Sequence, residues 1–195
     1  KISREDHMQF DHLEIVRIAI EAGVSIMDIY ESSGQIEVQS KDDDSPLTKA
    51  DIAAHKIIIR GLATIDPEVP VVSEEGRVGD PKQSELAWLV DPLDGTKEFI
   101  KRNGMFTVNI ALMKRMNASW KPIFGVVHAP VNRTTWYGGV DVPATKITDA
   151  ETSEISVRKQ TNAQTRLVAS GSHRAELDEK FAKELGEHEL VRMGS

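Results

Sequence analysis

From Leu13 to Tyr30 the apolar residues Leu13, Val16, Ile20, Val24 and Met27 recur at steps of three and four, the period of a helix with one apolar face. Asp11 and Glu14 are set like a capping pair at its start. Ser33-Gly34 breaks that helix, and between Gln35 and Lys41 the alternation of Ile36 and Val38 with polar residues predicts a short half-buried strand. Asp42 to Pro46 is a polar turn. A second helix opens near Thr48, an N-cap with Asp51 three residues on, and runs through Ile57, Ile58 and Leu62. Asp66-Pro67 closes the connection after it. Val69 to Ser73 predicts a strand ending at Glu74-Glu75-Gly76, and residues 76–85 predict a loop. Leu86-Ala87-Trp88-Leu89-Val90 is continuously apolar, the pattern of a central strand covered on both faces, and it ends at Asp91.

Beyond Asp94-Gly95-Thr96 the pattern predicts a short helix through Phe99, then strands over Phe106–Met113, Pro122–Val127 and Thr134–Tyr137. Residues 139–165 are polar, with Ile155 and Val157 as the strand signal. Arg166 to Ser170 predicts a strand, Arg174 to Leu185 a helix and Glu189 to Met193 a last strand. Strands and helices in mixed order, with consecutive strands among them, predict a layered α/β (α+β) architecture. The expected organisation is an N-terminal unit over residues 1–140 and a second unit beginning at 141–195.

Composition narrows the chemistry. The 195 residues contain no cysteine, which excludes a disulfide framework, a thiolate metal site and a cysteine nucleophile together. Any metal must be held by oxygen or imidazole. With 24 Lys+Arg against 31 Asp+Glu the net charge is −7, so a basic face for a nucleic acid polymer is not expected. No apolar run approaches the roughly 18 residues of a membrane span, and the expected location is cytoplasmic.

The densest chemistry is Trp88-Leu89-Val90-Asp91-Pro92-Leu93-Asp94-Gly95-Thr96. A buried strand delivers Asp91, Pro92 fixes a turn, and Asp94 follows three residues later, so two carboxylates and the Leu93 carbonyl face one point. Mg²⁺ takes one or two carboxylates and completes its octahedron with waters and phosphate oxygens. Gly95 permits close backbone approach, and Gly95 and Thr96 open a helix whose N–H groups suit a phosphate. Glu74 and Glu75 end an apolar strand and emerge beside Asp91 if the two strands are parallel neighbours. Read alone, Glu74 and Glu75 also fit a solvated acidic loop, Asp51 a helix-dipole residue and Thr96 a cap. His128, before Ala129-Pro130, reads as structural; His173 fits an exposed helix start.

Three segments, Ser45-Pro46-Leu47-Thr48-Lys49-Ala50-Asp51, Val72-Ser73-Glu74-Glu75, and Trp88 through Thr96 on to Ile100, closely resemble the lithium-sensitive, magnesium-dependent phosphatases of the inositol monophosphatase superfamily. Within it, the run from Asp91 to Arg102 followed by Phe106-Thr107-Val108-Asn109-Ile110-Ala111-Leu112 is similar to the bacterial 3'(2'),5'-bisphosphate nucleotidases. The resemblance runs from about Leu13 to Ser195. It implies a layered αβαβα sandwich and hydrolysis of the 3'-phosphate of adenosine 3',5'-bisphosphate to AMP and phosphate, in sulfate assimilation. Glu74, Asp91, the Leu93 carbonyl and Asp94 would be ligands for two or three Mg²⁺ ions. Leu93, Asp94, Gly95, Thr96 and Glu74 would hold the substrate phosphate. Asp51 and Thr96 would act as the catalytic pair activating the attacking water, with Glu74 completing the catalytic set and Glu75 assisting behind it. Ser172, His173 and Ser195 resemble segments that line the nucleotide end. A homodimer, and peripheral attachment to the cytoplasmic face of the inner membrane, are further expectations of the resemblance.

The superfamily carries another metal-ligand aspartate in a Trp-Asp-Thr-Ala-Ala-Gly-like motif, which these 195 residues do not contain. The expectation is therefore that the C-terminal part of the second unit is missing. Three other readings stay open here. An inositol monophosphatase or sugar-bisphosphate phosphatase shares the same metal core. A haloacid-dehalogenase type enzyme would use Asp91 as nucleophile, although its two carboxylates stand two apart rather than three. An inactive metal-binding fragment would bind Mg²⁺ without releasing phosphate.

Overall fold

The computed structural model describes residues 10–32, 38–40, 46–157, 165–170, 176–184 and 186–194. In chain order the elements are α1 (His12–Glu31), β1 (Val38–Ser40), β2 (Pro46–Thr48), α2 (Lys49–Ile65), β3 (Val71–Ser73), β4 (Gly76–Val78), β5 (Leu86–Asp94) and α3 (Thr96–Ile100). There follow β6 (Thr107–Met116), β7 (Ser119–Ala129), β8 (Thr134–Gly139), β9 (Val142–Ile147), β10 (Thr152–Glu154), β11 (Thr165–Ser170), α4 (Glu176–Glu184) and β12 (His188–Met193).

Eight strands form one mixed sheet in the order β10-β9-β8-β7-β6-β5-β3-β4. The β3–β5 pair is parallel, with Ser73 opposite Val90, and the other neighbours in this sheet are antiparallel. Helices α1 and α2 pack on one face over Trp88, Val90, Val108, Ile110, Leu112, Phe124 and Val126, all nearly inaccessible to solvent. Each such side chain contributes roughly 1.5–3 kcal/mol relative to exposure, and together they make the sheet–helix layer rigid enough to carry a site at its edge. A separate parallel pair, β11 and β12, brackets α4. This is the layered mixed α/β class that the pattern predicts.

Several local expectations need correction. The apolar stripe read on α1 runs along the edge of its buried face: Leu13 and Val24 are more than half exposed, whereas Ile15, Ile18, Ala19, Ala22 and Ile26 are buried. Alanines carry little hydrophobic signal in a sequence, yet they let α1 approach its neighbours closely. Leu89 is 49% exposed although Ala87 on the same face is buried, so the second face of β5 is covered only in part. Residues 76–78, expected as loop, return as strand β4 against β3. Between 139 and 165 the strands are β9 and β10, not Ile155 and Val157. At this end of the sheet β9 is held by backbone pairing to β8 and β10 by pairing to β9, which needs no apolar alternation.

Candidate active site

Every element around the expected site ends or begins at one edge of the large sheet. Because β3 and β5 are parallel and in register, Glu74 leaves β3 beside Asp91 of β5, and the Glu74 N–H donates to the Val90 carbonyl at 3.1 Å. Glu74 and Glu75 form the two-residue turn of the β3–β4 hairpin. In β5 the register against β6 slips between Asp91 and Asp94, a bulge at Pro92-Leu93 that redirects the strand end. Asp91 accepts the Leu93 N–H at 3.2 Å, and Asp94 accepts from Asn109 Nδ2 at 3.1 Å.

Gly95 then turns the chain with φ 93°. A Cβ here would lie 2.8 Å from the Met105 carbonyl oxygen, so both the left-handed backbone and the close approach require glycine. Helix α3 is five residues long, and Phe99, fully buried, anchors it. Its ring packs 5.3 Å from those of both Tyr30 and Phe106.

Asp51 reaches the same point from α2. Thr48 caps that helix in a capping box with Asp51: the Thr48 N–H and Oγ1 donate to Asp51 Oδ2 at 2.8 and 2.6 Å. The other oxygen, Oδ1, accepts from Thr96 Oγ1 at 3.2 Å. Thr96 Oγ1 also lies 3.1 Å from the Leu93 carbonyl. Asp51 thus has two roles, as the acid of the capping box and as the partner of Thr96. With one Asp51 oxygen saturated by Thr48, the other is aimed at Thr96.

The electrostatics set these carboxyls apart. Burial is the main cause that pushes Asp91 up to about 7, followed by the negative charges of Glu74 and Asp94 and a side-chain hydrogen bond with Glu74. Burial also raises Asp51, against the lowering effect of its hydrogen bonds from Thr48 and Thr96. Carboxyls so disposed need a proton or a cation among them. Among the described residues no three His, Asp or Glu side chains are preset around one cation position. Glu74, Asp91, Asp94 and the Leu93 carbonyl are candidate donors, and oxygen donors of this kind suit Mg²⁺ with waters and phosphate oxygens.

The chain matches the inositol monophosphatase family over residues 10–193. It belongs to the inositol monophosphatase family. Among curated proteins it is 46% identical over 189 residues to the 3'(2'),5'-bisphosphate nucleotidase CysQ of Escherichia coli strain K12. It is 42% identical over 192 residues to that of Salmonella typhimurium. Each alignment covers 93% of this chain and 72% of the relative. Among solved structures, CysQ from Bacteroides thetaiotaomicron, described as a bacterial member of the inositol monophosphatase family, superposes with a TM-score of 0.78 at 33% identity. That match covers 97% of this chain and 74% of the other.

The structure brings Glu74, Asp91, Leu93, Asp94, Gly95, Thr96 and Asp51 to one edge. Ser172, His173 and Ser195 lie outside the described residues, but Gly194 is described, and its N–H approaches Met105 Sδ at 3.4 Å. His128 is buried and pairs with Thr135 Oγ1 at 2.9 Å. Sequence reasoning missed Asn109 and Thr107, which hold Asp94 in series: Asn109 Nδ2 donates to Asp94, and Thr107 Oγ1 donates to Asn109 Oδ1 at 3.1 Å. Their signal was present as two polar residues spaced by two at the start of a strand whose residues 110–113 are all apolar. It also missed His55, whose Nδ1 is 2.9 Å from Ser73 Oγ. Among the described residues no helix is long and apolar enough to cross a membrane.

Proposed function

We propose that this chain hydrolyses the 3'-phosphate of adenosine 3',5'-bisphosphate to AMP and inorganic phosphate, and that it serves sulfate assimilation. The observation that carries the reading is the Asp51–Thr96 hydrogen bond ending beside the Glu74, Asp91 and Asp94 carboxyls. The names of its similar proteins, two curated 3'(2'),5'-bisphosphate nucleotidases, supply the substrate class.

Glu74, Asp91, the Leu93 carbonyl and Asp94 would hold Mg²⁺, which neutralises phosphate charge and makes water a better nucleophile. Thr96 Oγ1 donates to Asp51, so it would accept a proton from an attacking water while passing its own to the Asp51 carboxylate. Asp51 keeps Thr96 in that orientation because Thr48 fixes the carboxylate plane. The bulge and Gly95 turn the backbone of Leu93 to Thr96 toward the scissile phosphate. Water is the nucleophile and attacks phosphorus directly, so no side chain becomes phosphorylated, and a phosphoaspartate trapped on Asp91 would contradict the proposal.

The occupancy of two or three ions, a homodimeric state and a cytoplasmic location complete the reading. So does a division into a unit over 1–140 that carries the metal and phosphate site and a second unit over 141–195. Metal titration by mass spectrometry, sedimentation, fractionation and limited proteolysis test these in turn. The reaction itself is tested by phosphate release from adenosine 3',5'-bisphosphate. Turnover that requires Mg²⁺ and falls with Li⁺ is expected. Faster turnover of inositol 1-phosphate would transfer the assignment to that substrate, and Mg²⁺ binding with no phosphate release would leave a metal-binding fragment.

A further inference from the structure

Helix α2 carries two polar side chains on one face, Asp51 and His55, spaced by four and therefore one turn apart. Asp51 grips the Leu93–Thr96 turn through Thr96. His55 reaches the other half of the site: its Nδ1 lies 2.9 Å from Ser73 Oγ, and that same Oγ accepts the Glu75 N–H at 3.3 Å. Ser73 is the last residue of β3, immediately before the Glu74-Glu75 turn. The imidazole also sits beneath the far side of that turn, since a Cβ at Gly76 would be 3.9 Å from both Cε1 and Nε2.

We infer that His55 is a positioning residue: through Ser73 it fixes the β3–β4 turn and thereby aims Glu74 at Asp91. The inference rests on the reading of Glu74 as a cation ligand. The Glu74 end of this two-residue turn is held by the Glu74 N–H on the Val90 carbonyl, while the Glu74 residue itself is exposed. The Ser73 hydroxyl removes one freedom by capping Glu75, and His55 removes another by fixing the hydroxyl. Burial lowers the basicity of His55, with the charge of Lys56 acting in the same sense, so the ring pairs with Ser73 as neutral imidazole. One rigid helix therefore sets the spacing between the Thr96 hydroxyl and the Glu74 carboxylate. An independent loop on each side would leave that spacing soft, and partners behind a metal ligand are worth about 10–100-fold in affinity.

The test uses the ¹⁵N-labelled chain with two readouts, the Glu75 amide in the metal-free protein and Mg²⁺ affinity by calorimetry. His55→Ala is expected to shift the Glu75 amide resonance, speed its hydrogen exchange, and weaken Mg²⁺ binding about tenfold. His55→Asn, which returns a polar atom to the Nδ1 position, is expected to restore both, and Ser73→Ala to reproduce the loss. An unchanged Glu75 amide and unchanged Mg²⁺ affinity in His55→Ala, with a lower melting temperature alone, would overturn the inference and leave His55 a packing residue. If His55→Ala does not fold, Ser73→Ala decides, because it keeps the ring and removes the hydroxyl. If the native chain binds no Mg²⁺, the proposed function fails, while the Glu75 amide still decides whether His55 positions the turn.

Discussion

Two ionisable groups, one half-buried and one buried, stand at different places on the large sheet, and loss of water dominates both. Asp91, at the end of β5, is pushed up to about 7, and His128, at the end of β7, is pushed down to about 4. Their company differs. Asp91 faces Glu74 and Asp94, two charges of its own sign, across an edge open to solvent. His128 faces a neutral hydroxyl, Thr135, and the bare backbone of Gly23, where a Cβ would lie 2.5 Å from its ring. One arrangement calls for a proton or a cation among its carboxyls; the other is already satisfied. Burial alone therefore does not mark a functional group here. Like-charge neighbours do, because they cost stability that a purely structural position has no reason to retain.

Breaking the two positions should have opposite consequences. The largest effect is expected from Asp94→Asn, which removes one of the opposed charges: phosphate release should fall below detection while circular dichroism and the melting temperature hold. An active Asp94→Asn protein would remove Asp94 from the ligand set. Thr96→Ala should lower kcat by about 10²–10⁴-fold with Mg²⁺ affinity little changed, since it removes the proton acceptor and not a metal ligand. Gly23→Ala strikes the His128 position instead. Forcing a methyl against that ring should cost about 1–3 kcal/mol of stability in denaturant unfolding, with kcat unchanged at a permissive temperature.

The pH dependence sharpens the contrast with smaller effects of opposite sign. Asp91's folded pKa lies above its ordinary value of 3.8. The folded state thus binds the proton more tightly, and the metal-free chain should lose stability as pH rises from about 4 through 7. Asp91→Asn should flatten that slope. His128's folded pKa of about 4 lies below its ordinary 6.5, so stability should be lost as pH falls from about 6.5 through 4, and His128→Gln should remove that loss. Melting temperatures across pH 4–8, with and without each substitution, check both signs.

Much of this was legible in the sequence because the chemistry is local. Asp91, Leu93, Asp94 and Thr96 fall within six residues behind an apolar strand, and Thr48 with Asp51 is a cap readable by spacing alone. The partnership of Asp51 with Thr96, 45 residues apart, came through family resemblance, since spacing says nothing about contacts at that range. Asn109 and His55 were missed for the same reason: each acts by reaching a residue on another element. The buried face of α1 was misread because apolar residues occupy almost every side of that helix, and the alanines that select the packed face look neutral. Strands β9 and β10 were missed because edge pairing through the backbone leaves no hydrophobic period.

The central claim is that the opposed carboxyls around Asp91 form a cation site. If Asp91 titrates near 7, Mg²⁺ must displace a proton to bind, and the count follows from pH. Calorimetric titration with Mg²⁺ in buffers of different ionisation enthalpy measures it. The account predicts proton release that is larger at pH 6 than at pH 7 and absent at pH 9, and no release from Asp91→Asn. Mg²⁺ binding with no proton release at pH 6, or the same release from Asp91→Asn, would contradict it.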